Sequence, residues 1–284
     1  MILRVSKSTG ACVRRVCAVL DLPRSSFYHA AKPSASRLAD EALGVLIERI
    51  FHAHRRRYGY RRILRQLADE GHVASPARVR RIMAARRLRA IAPKTFTPKT
   101  SDGRADCPSP NLIENTPLPT RPNAVWAGDI TFIPTASGWL YLAVVIDLCS
   151  RKIIGWALSD HLRSSLVIDA FAQALGSRQK TSAPIFHSDR GSQYGSRAFR
   201  QLLKQHAFRQ SMSARANPYH NAWTESFIGT LKSEMLQGGR FIDPSDAQTE
   251  LFAYIHSYYN TVRKHSSLDY LSPAQFEANF NSTN

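Results

Sequence analysis

Three acidic residues stand where an acid needs a reason to be. Asp129 lies inside an apolar run, residues 124–134 (AVWAGDITFIP), that reads as a strand with positions 127, 129, 131 and 133 on one side and 126, 130 and 132 on the other. A lone carboxylate there is heavily penalised by lost hydration unless it reaches a sheet edge, accepts hydrogen bonds or binds a cation. Asp189 repeats the problem at the end of the short apolar run 184–188, in HSDRGSQY, and Glu225 falls in the early turns of a helix opened by Pro218 and Asn221 in NPYHNAWTESFIGTLKSEM. Singly, each has a local explanation: Asp189 caps the DRGSQ turn, and Glu225 favours a helix N-terminus. Brought together, three carboxylates would repel one another unless cations intervened, and an all-oxygen set suits magnesium or manganese. Two such ions can activate an attacking oxygen and stabilise a leaving one in an in-line displacement at phosphorus.

The elements that would have to position these acids are legible as a mixed sheet flanked by helices. Runs 124–134, 140–148 and 152–159, separated by short turns, predict an antiparallel meander. A helix over 165–175 follows, then a strand at 184–188, a helix over 196–206 and a short strand at 208–213, which makes five strands. Residues 221–236 and 245–265 and the end opened by Ser272-Pro273 read as helical. Asp147 precedes the Cys149-Ser150-Arg151 turn and is expected to cap it rather than to act as a fourth ligand.

Charge divides the chain. Of the 39 Lys and Arg and 21 Asp and Glu, residues 1–100 hold 22 and 6, a net of +16, and residues 101–284 hold 17 and 15, a net of +2. An N-terminal third of that sign calls for a polyanionic partner. Residues 13–30 predict a helix, a turn and a helix. Residues 60–70 predict a better one, ending at Gly71, followed by a Ser75-Pro76-capped helix crowded with Arg78, Arg80, Arg81, Arg86 and Arg87. Two short helices with the second this rich in arginine have the composition of a DNA-docking helix-turn-helix. Seven prolines between residues 93 and 122 mark a linker. The expected organisation is therefore a basic helical DNA-binding region over 1–92, the linker over 93–122, a catalytic core over 123–242 and a helical C-terminal extension over 243–284. The longest apolar run, residues 139–146, is too short to cross a bilayer and no secretory stretch opens the chain, so a soluble, intracellular protein without a membrane partner is expected. The four cysteines form no CxxC pair, and His187, His220 and His265 match no zinc spacing.

WAGDIT, HSDRGSQY and NPYHNAWTESFIGTLKSE, with 59 residues between the first two acids and 35 between the last two, resemble the core of the DDE transposases and retroviral-type integrases. They are most similar to the second-reading-frame proteins of the IS-three group of bacterial insertion sequences. YGYRRILRQLADEGHVASPARVRRIM and YIHSYYNTVRKHSSLDYLSPAQF extend the likeness over essentially the whole chain. The resemblance implies a ribonuclease-H-like sheet whose first and fourth strands are neighbours, with Asp129, Asp189 and Glu225 as catalytic residues and ligands of magnesium, two ions per site, which manganese replaces. It implies strand cleavage and strand transfer in transposition. Lys232, seven residues after Glu225 and so on the same helix face, is expected to hold DNA. Arg190, Asn221 and Tyr194, which flank the acids, are further candidate DNA contacts. The implied partners are double-stranded DNA at element ends and target, an upstream-reading-frame product or fusion, and further copies of the chain when DNA is bound. The implied setting is the bacterial cytoplasm, at the nucleoid. One departure is His220-Asn221-Ala222, where many relatives carry Asp-Asn-Ala. Two rival readings are a noncatalytic DNA-binding regulator and a ribonuclease-H-type nuclease.

Overall fold

The computed structural model describes residues 10–23, 34–91, 108–114, 116–178, 183–213 and 222–283. The helix expected near residues 24–30 and, of the expected linker over 93–122, residues 93–107 and 115 lie outside the described residues.

Five strands form one sheet in the order β3-β2-β1-β4-β5, where β1 is Val125–Thr135, β2 Gly138–Asp147, β3 Ile153–Ser159, β4 Ile185–Ser188 and β5 Arg209–Met212. The first three are the expected antiparallel meander, and β4 and β5 add in parallel. Alternation along β1 splits the core. Val125, Ala127 and Ile133 join Leu140, Leu142, Val144 and Ile146 of β2 on one face, whereas Trp126 and Ile130 join Ala143 and Val145 on the other. The second face is covered by the helix Ser164–Ser177, numbered α5 after four N-terminal helices, and by α7 (Arg197–Gln205), which follows the single turn α6 (Ser192–Gly195). The first face is covered by α8 (Ala222–Leu231), which runs into a π-helical turn Lys232–Leu236, and by α9 (Pro244–Phe252) with its own π-helical continuation Ala253–Tyr259.

Helix α5 lies so close to β3 that a Cβ on Gly155 would come 2.1 Å from the Ala170 carbonyl oxygen. Backbone cannot yield as a side chain does, so Gly155→Ala is expected to destabilise the fold by about 3 kcal/mol, at the upper end of overpacking effects. Denaturant unfolding followed by circular dichroism measures it.

Helices α1 (Val13–Val19), α2 (Ala35–Ala53), α3 (Tyr60–Asp69) and α4 (Pro76–Ala85) precede the sheet. The last three enclose a separate core of Leu43, Ile47, Ile50, Phe51, Tyr58, Ile63, Leu67, Val79, Ile82 and Met83. Ser75 caps α4 as expected, its Oγ accepting from Arg78 N at 3.2 Å, with Pro76 in the first turn. The long α2 was not anticipated, although Leu43, Ile47, Ile50 and Phe51 carry helical spacing.

Part of the expected linker is bound to the sheet. Met212 N donates to Pro110 O at 3.3 Å and Leu112 N to Ser211 Oγ at 2.9 Å, so residues 108–113 cover the β5 edge that would otherwise expose ladder groups. At the other end, α10 (Pro273–Thr283) fastens the C-terminal segment to the core through Glu277, which pairs with Lys152 at 2.9 Å and Arg178 at 2.6 Å. Asn260 extends this fastening: its amide oxygen accepts from Ile153 N and its amide nitrogen donates to Ile153 O, both at 2.9 Å. Among the described residues no helix is long and apolar enough to cross a membrane.

Candidate active site

Parallel pairing of β1 with β4 matches Val125 to Ile185, Trp126 to Phe186 and Ala127 to His187. Carried two residues further, this register sets Asp129 level with Asp189, just past the end of β4. The two acids line one small cavity with Phe132, Leu162, Gly191, Gln193 and Tyr194. Asp129 is 8% exposed, and its Oδ1 accepts from Ile130 N at 2.8 Å. Asp189 is half-buried, and its Oδ1 accepts from Gly191 N at 3.0 Å. Gln193 Nε2 donates to Leu162 O at 3.1 Å and ties the two loops that wall the cavity.

Glu225 occupies the first turn of α8 and is exposed. Helix α8 seats Phe227, Ile228 and Leu231 on the sheet face that also carries Asp129, so Glu225 and Asp129 meet the same side of the sheet. Lys232 is half-buried where α8 passes into the π-helical turn.

The electrostatics join these groups. Burial pushes the Asp129 carboxyl well above the usual carboxylate range, and the Asp189 charge drives it further; Ile130 N–H opposes the rise, Glu225 adds to it, and Lys232 opposes it. The stabilising contacts are thus outweighed. Partial burial raises the Glu225 carboxyl, while burial lowers the Lys232 ammonium and the Asp129 charge supports it. Among the described residues no three His, Cys, Asp or Glu side chains are gathered tightly enough to hold a metal ion. The fold therefore assembles Asp129 with Asp189 in one cavity, and the Glu225 charge on the covering helix adds to the rise at Asp129. Carboxylate oxygens, undercompensated charge and a nearby cation-favouring field fit a divalent metal.

Residues 119–218 and 206–273 match the family Integrase core domain, and residues 37–96 the family HTH-like domain. The transposase for insertion sequence element IS904 of Lactococcus lactis is 42% identical over 246 residues, covering 87% of this chain and 97% of that protein. Transposase InsF for insertion sequence IS3A of Escherichia coli is 38% identical over 272 residues, 93% of each chain. The chain belongs to the IS3 family of insertion-sequence transposases. Its catalytic unit is an integrase core, the polynucleotidyl transferase kind. The HTLV-2 integrase catalytic core domain in complex with magnesium is a solved structure similar to this chain, at 18% identity over 55% of this chain and 97% of that one, with a TM-score of 0.43.

The transposase places the remaining expected residues in different ways. Tyr194, expected as a DNA contact, is 2% exposed and forms the floor of the cavity: a Cβ on Gly128 would meet its hydroxyl at 3.1 Å and Phe186 Cζ at 2.6 Å. Burial and then the Asp129 and Asp189 charges hold its phenol well above the ordinary range, so it remains a neutral floor. Arg190 Nε donates to Ser213 O at 2.8 Å and pins the Asp189 loop to the chain beyond β5. Asn221 and His220 lie outside the described residues. Asp147 is the turn cap expected of it, fully buried and accepting from Asn123 N, Cys149 N, Ser150 N and Ser150 Oγ. His187 is structural, bridging Ser211 Oγ at 2.8 Å and Ser213 Oγ at 3.2 Å.

Three of the five arginines in and just beyond α4 are held by acids of α2. Arg78 and Arg81 both pair with Asp40 of α2, at 2.7 and 2.6 Å, and hold its carboxyl below the usual range. Arg86 reaches Glu48 at 2.6 Å, and its guanidinium lies where a Cβ on Gly44 would be. Arg80, over the Tyr60 ring at 5.3 Å, and Arg87 remain exposed.

Proposed function

We propose that Asp129, Asp189 and Glu225 are the catalytic, metal-binding carboxylates with which this transposase cuts DNA at the ends of an insertion sequence and joins the released 3′-hydroxyls to target DNA. The observation that carries this reading is the buried Asp129 facing Asp189 in one cavity with its charge undercompensated. Magnesium, or manganese in its place, as two ions, would supply the positive charge that activates an attacking oxygen and stabilises the leaving one.

The chain's own groups set up the displacement. Ile130 N–H and Gly191 N–H each fix one oxygen of Asp129 and Asp189, so both carboxylates keep set orientations toward the cavity. Phe132 and Leu162 present an apolar wall that limits water at the reacting phosphodiester. Lys232 would hold a neighbouring phosphate. With water as nucleophile, a new P–O bond forms as the bond to the 3′-oxygen breaks, leaving a free 3′-hydroxyl; with that hydroxyl as nucleophile at a target phosphodiester, the new P–O bond forms as the target's own P–O3′ bond breaks, so the element end is joined to the target 5′-phosphate and a target 3′-hydroxyl is released. Arg190 serves through the loop it pins. Two ends must be held at once, so at least two copies would act together on double-stranded DNA, with the product of an upstream reading frame as partner, in the bacterial cytoplasm at the nucleoid.

Of the five arginines expected to meet DNA, Arg80 and Arg87 are exposed and, among the described residues, not held in the ion pairs that engage Arg78, Arg81 and Arg86. Replacing each with Ala is expected to weaken duplex binding uniformly and to lower the slope of log K against log salt by about 0.9 per lost contact. Arg86→Ala is expected to lower the melting temperature instead.

The test supplies the full chain with duplex carrying the element's terminal repeat, labelled on one strand, beside an RNA–DNA hybrid. Nicked and joined DNA products that need magnesium and vanish with a chelator are expected. Products that persist in chelator, or preferential cutting of the hybrid, would overturn the reading.

A further inference from the structure

Three aromatic rings climb out of the core beside the cavity. On the α5-covered face, cross-strand pairing sets Ile130 opposite Ala143, Phe132 opposite Tyr141 and Pro134 opposite Trp139. The first rung is buried beneath α5. Beyond it Phe132 and Tyr141 are half-buried, and Trp139 is 60% exposed. The rings touch in series, Tyr141 to Phe132 at 5.1 Å between centroids and Phe132 to Trp139 at 6.1 Å and 90°. Phe132 is also a wall of the Asp129–Asp189 cavity, so the ladder is continuous with it. The cavity's other apolar wall, Leu162, follows from β3, whose Ser159 pairs with Tyr141. Between them, His161 keeps a buried Nδ1 without a hydrogen-bond partner.

Cross-strand packing explains Phe132 and Tyr141, but a Trp with most of its surface in water gains little from it. Residues 132–141 (FIPTASGWLY) carry no charge, so this strip offers a phosphate no counter-charge and a flat π-system a great deal. Trp139 lies level with Pro134, five residues along β1 from Asp129 or roughly 17 Å at strand rise, on the face opposite the Asp129 side chain, and the two are linked through the cavity that Ile130 and Phe132 share with Asp129. That is a handful of nucleotide steps from a phosphodiester in the cavity. Paired bases within a duplex hide both faces in the stack, whereas an unpaired base is free to offer one.

We infer that Trp139, with Phe132 and Tyr141 behind it, stacks an unpaired nucleobase of the strand whose phosphodiester lies in the Asp129–Asp189 cavity. The inference rests on the reading of that cavity as the strand-cutting site.

The experiment uses the full chain with magnesium and pre-cut element ends closed by a 3′-dideoxynucleotide, so that neither cutting nor joining proceeds. 2-Aminopurine replaces successive bases of a short single-stranded overhang. Wild-type protein is expected to quench the probe at one or two positions and Trp139→Phe to retain this. Trp139→Ala is expected to lose the quench and about tenfold in affinity for overhang ends, with affinity for blunt duplex and the melting temperature unchanged. The inference is overturned if Trp139→Ala quenches and binds as wild type, or if overhang and duplex affinities fall together. It is equally overturned if the substitution leaves DNA binding intact and lowers the sedimentation mass of DNA-free protein, since the strip then joins copies of the chain. Strand cutting by wild type, scored separately on uncut ends, keeps the two readings apart: quenching without cutting sinks the cavity's assignment, and cutting without quenching sinks this one.

Discussion

Asp129→Asn is expected to lower strand cleavage by on the order of a thousandfold, because on the proposed reading it removes a ligand to the activating cation and with it several kcal/mol of transition-state stabilisation. Affinity for duplex DNA is expected to be unchanged, since the basic helical unit is proposed to carry it. The same substitution has an opposite effect on the metal-free fold. Asp129 is pushed toward protonation by burial and by Asp189, whereas an amide of the same shape carries no charge and still offers Ile130 N–H an acceptor. Metal-free Asp129→Asn is therefore expected to be more stable by about 1–2 kcal/mol, which corresponds to a rise of roughly 2–4 °C per kcal/mol in melting temperature. Magnesium then raises the melting temperature of the wild type and not of the variant. A gel cleavage assay and thermal melts with and without magnesium read both halves. A variant that cuts at the wild-type rate, or melts lower without metal, would contradict the account.

Glu234 and Arg263 provide the second large effect. Both are buried, at 7% and 5% exposure. Arg263 Nε and a terminal nitrogen donate to Glu234 Oε1 at 3.0 and 2.7 Å, and Tyr254 OH donates to Oε2 at 2.8 Å. Burial opposes the Arg263 charge, and Glu234 more than offsets it. Glu234→Ala leaves that guanidinium buried and unpaired, an expected loss of about 3–5 kcal/mol. The pair also sits at a junction. Glu234 lies in the π-helical turn begun by Lys232, and its neighbour Met235 accepts a weak bond from Arg57 at 3.6 Å. On either side of Arg263, Val262 O accepts from Tyr58 OH at 3.3 Å and Lys264 O from Arg62 Nε at 2.9 Å. Loosening it is therefore expected to release the helical unit from the core, seen as cleavage between the two units by low protease in Glu234→Ala but not in wild type. The double replacement Glu234→Met with Arg263→Met is expected to recover most of the stability, because well-packed apolar groups remove the unpaired charge. A single variant within about 0.5 kcal/mol of wild type, the scatter of ordinary surface changes, would show the pair to be dispensable.

How far the residues alone carry is clearest at particular sites. Strand alternation put Asp129 among apolar neighbours, and turn spacing yielded the meander, because both are local, with a period of two and a few turn residues. The Ser75-Pro76 cap and the Asp147 turn cap were readable for the same reason. Helix α2 carries a periodic signal at Leu43, Ile47, Ile50 and Phe51, but its acids Asp40 and Glu48 meet Arg78, Arg81 and Arg86 only through packing between elements far apart in sequence. From composition those arginines look like a DNA face; only packing against α2 shows which remain for it. Tyr194 was misplaced similarly, since nothing in HSDRGSQY says that its ring turns beneath Gly128.

By itself the chain order determined the strands, the helices, the charge asymmetry and the acids that needed a cation or a partner, all through interactions between residues close in sequence. The tertiary structure alone decided that Asp129 and Asp189 share a cavity, that Glu234 meets Arg263 and that Trp139 stands in water next to Phe132. Those outcomes depend on sheet order and on which helix covers which face, and long-range burial, not local preference, selects between them.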